Sequence, residues 1–460
     1  MKPLTLLLTA AAVIQAAEPV DWIITSKWVV TMDAERRVIE NGAVAVKGST
    51  IAAVGPRGEI EKRFSAPNRL DRTNAAIIPG LVNTHTHAAM SLFRGIADDM
   101  ALQEWLEKFI FPAEARNVDA EFVRWGTRLA VVEMLLSGTT TFCDMYYFEE
   151  VVASVAKEAG LRGVLGQTII GFPVPDAKTA ADGLARTEAF FKLYAADPLV
   201  TPAIAPHAIY TNSDATLQAA RALATRYSKP LVIHLSETRR ENDESIAKRG
   251  MSPTRALDAL GLFTGGPVVA AHGIWLDDGD IAILKQRGVG LGHCPASNMK
   301  LASGVSPVAK LLAAGVAVGL GTDGAAGSNN DLNLLEELDL AGKLAKVTEN
   351  DPRALPARTL FEMATINGAR VLGLDKKIGS LENGKLADLV QIDLSQPHTT
   401  PNYNIYSTLV YAAKGGDVRN VMVHGKLIVR DRQALTLNRQ AILSKAAEYQ
   451  TKITASLTRP

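Results

Sequence analysis

The spacing of apolar positions changes twice along the chain. Behind an apolar stretch from Leu4 to Ala17, short apolar runs stand close together: Trp22 to Thr25, Trp28 to Met32, Ala43 to Val46 and Ile51 to Val54. Asn41-Gly42 and Gly48-Ser49 separate some of them, as turn residues separate paired strands. From about Ala75 the spacing lengthens. Strand-like runs lie at Ala75 to Ile78, Thr139 to Cys143, Gly163 to Gln167, Val200 to Ala205, Leu231 to Leu235, Val268 to Ala271, Val289 to Gly292 and Val316 to Leu320. Helical patterns such as Glu121 to Leu136, Phe148 to Ala159, Ala215 to Tyr227 and Asp277 to Arg287 lie between them. Runs that alternate with helices in this way predict a closed parallel (β/α)8 barrel of the TIM type.

From about Ile378 the strand pattern returns, at Ala387 to Ile392, Val418 to Val423 and Lys426 to Val429. Both chain ends are therefore expected to build one small β-sandwich domain beside the barrel. The division this predicts is 18–74 with 376–437 for the small domain and 75–375 for the barrel. Residues 438–460 form a C-terminal tail, helical from Arg439 to Thr454.

The stretch from Leu4 to Ala17 is shorter than the ~20 apolar residues of a spanning helix. Lys2 precedes it, and Ala16 and Ala17 offer small residues for a peptidase. Residues 1–17 are read as a signal peptide, since a free apolar tail has no role in folding. That reading sends the protein to the periplasm or outside the cell. The alternative is a cytoplasmic enzyme with a frayed extension. No cysteine lies near the cut, so no lipid anchor is indicated.

Composition narrows the classes. Hydrophobic residues make up 47% of the 460 and charged residues 21%, which excludes a disordered chain. Lys+Arg 49 against Asp+Glu 48 leaves a formal charge of +1, so phosphate neutralisation gives no reason for nucleic-acid binding. Cys143 and Cys294 cannot make a disulfide framework and are read as small hydrophobes.

The candidate chemistry collects at strand ends. In Asn83-Thr84-His85-Thr86-His87, an extended backbone points both imidazoles to one side, where they can share a metal. His234 sits in the run Leu231 to Leu235, with Glu237 three residues on; His272 ends the next run; Asp323 follows the last. In a (β/α)8 barrel these strand ends meet at one face. Buried charges there would be costly without a metal or mutual pairing. Three imidazoles and a carboxylate suit one Zn²⁺ per chain, and Fe²⁺ on ligand type alone. The fourth run is followed by Pro206-His207-Ala208, with no lysine to bridge a second metal.

These motifs resemble the amidohydrolase superfamily, and within it the 5′-methylthioadenosine/S-adenosylhomocysteine deaminases. The likeness spans nearly the whole chain after the leader. It rests on Asn83 to Met90, Leu92-Phe93-Arg94-Gly95, Trp105-Leu106, His234-Leu235-Ser236-Glu237-Thr238, Pro295-Ala296-Ser297-Asn298, Gly321-Thr322-Asp323-Gly324 and Gly384-Lys385-Leu386-Ala387-Asp388. The resemblance implies that His85, His87, His234 and Asp323 hold the metal and its water. It implies that Glu237 passes protons to the purine and the leaving ammonia, and that His272 steadies the tetrahedral adduct. Glu114 matches a carboxylate that grips the ribose hydroxyls; the lesser alternative is a solvated glutamate at a helix start. His207 matches a histidine near the purine and the 5′ side of the ligand. Trp105 is a candidate pocket wall.

The expected partner is a small adenosine-type substrate: 5′-methylthioadenosine, adenosine or S-adenosylhomocysteine. A homo-oligomer is left open. Where relatives carry arginines for the homocysteine carboxylate, this chain has Gln167-Thr168 and the Asp182 neighbourhood, with Lys178 and Arg186 as the nearest cations. Methylthioadenosine is thus the easier ligand to defend. Ala88-Ala89-Met90 lacks the glutamine that reads guanine. The runner-up activity is amino- or chlorohydrolysis of another N-heterocycle, a triazine or an oxidised purine. His293 is expected near the site behind the ligands, and His398 and His424 are expected to be structural.

Overall fold

The computed structural model describes residues 17–457. The signal-peptide reading of residues 1–17 therefore falls on residues outside the described part, apart from Ala17. Eight parallel strands close a barrel: β1 (Leu81–Thr86), β2 (Thr139–Tyr146), β3 (Arg162–Ile169), β4 (Val200–Pro206), β5 (Leu231–Leu235), β6 (Val268–His272), β7 (Gly290–His293) and β8 (Val318–Leu320). The ring closes where Leu320 pairs with Asn83. Helices connect successive strands, as a right-handed parallel crossover requires.

The connecting helices start where the sequence supplies caps. Asp119 accepts the Phe122 amide ahead of Ala120–Leu136, and Ser213 accepts the Thr216 amide ahead of Asp214–Tyr227. Asp277 and Asp280 form a reciprocal capping box ahead of Asp278–Arg287. Each cap satisfies a backbone donor that the first helical turn leaves unpaired.

The two chain ends meet in one eight-stranded sheet. Its order is Gln433–Ala434, Lys426–Arg430, Val418–Val423, Leu389–Asp393, Asn68–Pro79, Trp22–Val30, Val38–Lys47 and Thr50–Pro56. The halves join where Leu389–Asp393 runs antiparallel to Asn68–Pro79. Two sequence expectations change here. Ala75 to Ile78 belongs to this sheet, and the barrel begins after Gly80, at Leu81. Both stretches are buried apolar runs, so periodicity alone could not tell them apart. Asn41-Gly42 is not a turn but lies inside the strand Val38–Lys47. A Cβ at Gly42 would come 2.5 Å from Val29 Cγ2, so the glycine serves close strand packing instead.

A buried ion pair locks the small domain onto the barrel. Arg162, the first residue of β3, donates to both oxygens of Asp388, at 3.0 and 3.2 Å. Asp388 also accepts the His424 amide at 2.7 Å. The Gly384-to-Asp388 motif therefore ends in a structural carboxylate. At the other end of the chain, the helix Arg439–Leu457 packs on Ala120–Leu136 and Phe111–Asn117. Asn117 donates to Ser456 Oγ at 2.8 Å, which ties this helix to the one that carries Glu114.

Candidate active site

The C-terminal ends of β1, β5, β6 and β8 bring His85, His87, His234, His272 and Asp323 to one buried point. His87 Nε2 lies 3.2 Å from Asp323 Oδ1, and His85 Nε2 lies 3.4 Å from the same oxygen. The approach of β8 to β1 needs Gly321, since a Cβ there would sit 2.8 Å from His85 Cβ. His272 and Asp323 both hold left-handed backbone, with φ of 71° and 61°. Such conformations are costly for residues with a side chain, and they cluster where a site dictates direction.

The rings are oriented by their far nitrogens. His87 Nδ1 donates to the Met145 carbonyl at 2.7 Å, and His234 Nδ1 donates to the His207 carbonyl at 2.9 Å. In the neutral rings each Nε2 then presents a lone pair, and these two atoms face each other 3.4 Å apart. A positive charge, whether a proton on His87 or a metal ion, must stand between two lone pairs at that distance. His85 is fully buried, and neither of its ring nitrogens has a hydrogen-bond partner. Burial pushes His85 down to about 4 and His234 well below its ordinary range, so both rings stay neutral, as metal ligands must. Burial also opposes charge on His87, but the Asp323 carboxylate outweighs it and raises the ring to about 9. The cluster thus attracts positive charge and holds unpaired donors for it. Ligand atoms of His85, His87 and Asp323 lie within 4.8 Å of one another, as do those of His85, His234 and His272. The residues present fit a metal ion.

Around this point the remaining groups are aimed. Asp323 Oδ2 accepts from Ser297 Oγ at 2.6 Å, and Oδ1 accepts the Gly324 amide at 2.8 Å. His272 Nδ1 bonds Asn298 Oδ1 at 3.0 Å, which leaves Nε2 3.8 Å from Glu237 Oε2. Burial raises the Glu237 carboxyl above its usual range, with His272 opposing the rise. Glu237 is steered by Glu241, whose carboxylate accepts the amides of Ser236 and Glu237 at 3.1 and 2.8 Å.

The cluster forms the floor of a cavity walled by Met90, Trp105, Glu114, Tyr147 and His207. Glu114 stands in its wall, 4% exposed, so the solvated-helix reading fails. Tyr146 Oη donates to one of its oxygens at 2.7 Å and Tyr147 Oη to the other at 3.2 Å. Burial still pushes this carboxyl up to about 7. His207 lines the cavity with Nδ1 on Thr211 Oγ1 at 3.1 Å. Trp105 is buried in the wall, its Nε1 donating to the Ala326 carbonyl at 3.0 Å.

His293 is also buried, but it lines a separate cavity with Val305 and Leu355 rather than this one. His398 pairs with Asp417 at 2.8 Å. Arg186 is bound to Glu150 and lies 3.4 Å from Asp176 while stacking on Phe148, so it is a scaffold cation. Sequence reasoning missed Tyr146, Tyr147 and Glu241. The two tyrosines end and follow β2, so the strand-end rule that found the histidines would have found them as well.

Residues 76–428 match the model of the amidohydrolase family. The chain belongs to that family. Over 443 residues it is 48% identical to 5-methylthioadenosine/S-adenosylhomocysteine deaminase 1 of Syntrophus aciditrophicus, covering 96% of this chain and 100% of the relative. It is 41% identical over 437 residues to the 5′-deoxyadenosine deaminase of Methanosarcina mazei, covering 95% of this chain and 99% of that one. A crystal structure of a Xanthomonas campestris adenosine deaminase with bound zinc superposes with a TM-score of 0.94 at 40% identity, covering 96% of this chain and all of that one.

Proposed function

We propose that the protein hydrolyses the 6-amino group of 5′-methylthioadenosine and related adenosine derivatives, giving the inosyl product and ammonia. One observation carries this reading. A buried, tyrosine-held carboxylate, Glu114, and the Glu237–His272 pair stand in the walls of the same cavity. A carboxylate suits a vicinal diol, which offers two donors, and the pair suits an aminopurine edge. The three proteins named above, each a deaminase of adenosine or an adenosine derivative, support it.

His85, His87, His234 and Asp323 would hold one ion, and three imidazoles with a carboxylate match zinc best. A bound zinc ion supplies Lewis acidity that makes water nucleophilic at neutral pH. Glu237 takes one proton from the attacking water and delivers it to the ring nitrogen, and then carries the second, from the hydroxyl left on C6, to the amine, which departs as ammonia. His272, whose Nδ1 donates to Asn298, presents the Nε2 lone pair to the oxygen that adds at C6, accepts its hydrogen bond and so orients it. Glu241 keeps Glu237 at the turn that aims it. Glu114 fixes the ribose, and Trp105 and Met90 exclude water from the base.

The test is ammonia release together with loss of the adenine absorbance band. Methylthioadenosine, adenosine, S-adenosylhomocysteine and a chlorotriazine are offered side by side. Turnover of the triazine alone would overturn the reading. The same reading includes export. A mature chain starting near Ala17 or Glu18 in a bacterial host, found by intact mass outside the cytosol, supports it; a soluble cytosolic species retaining Leu4 to Ala16 does not.

A further inference from the structure

In a (β/α)8 barrel the helices that follow the strands begin at the face where the strands end. Helical side chains tilt back toward the helix N-terminus, so first-turn residues aim at the loops of that face. Three buried glutamates use this geometry. Glu149, which opens Glu149–Ala159, accepts the Tyr146 amide at 2.8 Å. Glu241, in the first turn of Arg239–Arg249, accepts the amides of Ser236 and Glu237. Each of these two holds the loop that leads into its own helix. Glu337, in the first turn of Leu334–Glu349, differs, because it holds two loops at once.

Its Oε2 accepts the Ala296 amide at 3.1 Å, and its Oε1 accepts from Asn329 Nδ2 at 2.9 Å. Ala296 lies in the loop after β7, in the helix Pro295–Lys300. The next two residues of that helix aim the site: Ser297 donates to Asp323 Oδ2, and Asn298 accepts from His272 Nδ1. Asn329 lies in the loop after β8. Its Nδ2 also donates to the Thr322 carbonyl at 2.9 Å, and its backbone amide donates to the Gly324 carbonyl at 3.0 Å. Asn329 thus braces both neighbours of Asp323, whose left-handed backbone is costly and persists only where its surroundings enforce it. Glu337 itself is 2% exposed and makes no ion pair among the described residues. A carboxylate buried without a cation is expensive, and the donors this one holds come from the two site loops.

We propose that Glu337 is a positioning residue for Asp323 and His272. Its carboxylate clamps the loops after β7 and β8 together, and the clamp fixes the direction of the Asp323 carboxylate and of the His272 ring at the same time. Glu337 does not line the cavity, so it acts through Ser297, Asn298 and Asn329. In Glu337→Gln one oxygen remains to accept, while the new amide group meets the other donor head-on. In Glu337→Ala both donors are released. This rests on the reading above, in which Asp323 holds the ion and His272 orients the attacking oxygen.

The experiment compares the parent with Glu337→Ala, Glu337→Gln and Glu336→Gln. Each is loaded with Zn²⁺ for kinetics and with Co²⁺ for visible absorption, which reports the geometry around the ion. Glu337→Ala should keep its metal, shift the Co²⁺ bands and lower kcat for methylthioadenosine by about tenfold. Its KM should stay within about twofold of the parent, because Tyr146 and Tyr147 hold the Glu114 wall independently. Glu337→Gln keeps one of the two contacts and should shift the bands less and lower kcat only about threefold. Glu336→Gln removes the exposed neighbouring charge and should match the parent in both measurements. If Glu337→Ala does not fold, Glu337→Gln decides alone. Unshifted Co²⁺ bands, with kcat per folded molecule at the parent value in the Glu337 variants, overturn the proposal and leave Glu337 a stability residue. An equal change in Glu336→Gln, or a loss confined to KM, overturns it as well. If the parent binds metal and deaminates methylthioadenosine while the variants fail these expectations, only the clamp is wrong. If the parent does neither, the reading of the site falls and the clamp falls with it.

Discussion

Opposite ends of the barrel both bury charge, and they do so in opposite ways. At the seam with the small domain, Arg162 and Asp388 satisfy each other through two hydrogen bonds, with 6% and 2% of their side chains exposed. At the strand C-termini, His85 has no hydrogen-bond partner on either ring nitrogen, His87 and His234 turn their Nε2 atoms to each other 3.4 Å apart, and Glu237 is held by its backbone rather than by a partner for its carboxylate. Desolvating charge costs several kcal/mol per ion unless it is paired. The seam meets that cost internally. The site does not, and its surplus of donors marks where a ligand and an ion belong. Buried charge by itself therefore says little about function; the unmet part of it says much.

The largest effects should come from the unmet side. His234→Ala should lose bound metal and activity together, measured by elemental analysis and ammonia release; full metal occupancy would remove His234 from the ligand set. Glu237→Gln should keep the metal and lose kcat by ~10² or more, since the amide cannot shuttle a proton. Near-normal kcat would end its assigned role.

Next comes the seam. Asp388→Ala leaves the Arg162 guanidinium buried without its partner and should cost about 3–5 kcal/mol in unfolding free energy, while kcat/KM per folded molecule stays near the parent value. Denaturant unfolding with activity titration checks both halves. Equal losses at both ends of the barrel would erase the distinction drawn here.

Smaller effects test the far wall of the cavity. The Glu114 carboxyl is raised to about 7 by burial, against the lowering by the Tyr146 and Tyr147 hydroxyls. Only its ionised form can accept both diol hydrogens, so KM for methylthioadenosine should fall as pH rises through about 7. Glu114→Gln should flatten that limb and raise KM by about tenfold. The same shift works against stability at higher pH. The folded carboxyl binds its proton more tightly than the unfolded one, so its contribution is present below the ordinary value of 4.5 and is lost as pH rises toward about 7. Glu114→Gln should weaken that fall in Tm. Tyr147→Phe removes the longer of the two hydrogen bonds, 3.2 Å against 2.7 Å, and should change KM only a few-fold. A larger effect than Glu114→Gln would make the tyrosine itself the ribose contact.

The sequence by itself determined the barrel, its helix starts and the metal cluster. Each rests on local chemistry: a period of apolar residues, a capping side chain, or a histidine at the end of a buried run. It also supplied Glu114, through the family resemblance, but not that residue's surroundings. Only the tertiary structure decided that Ala75 to Ile78 belongs to the outer sheet, because two adjacent buried strands carry the same apolar pattern. It alone paired Arg162 with Asp388, 226 positions apart. It alone stood Tyr146 and Tyr147 over Glu114. The reason is physical: periodicity and caps act over a few residues, whereas the partner that satisfies or frees a charge is fixed by how distant strands close the barrel.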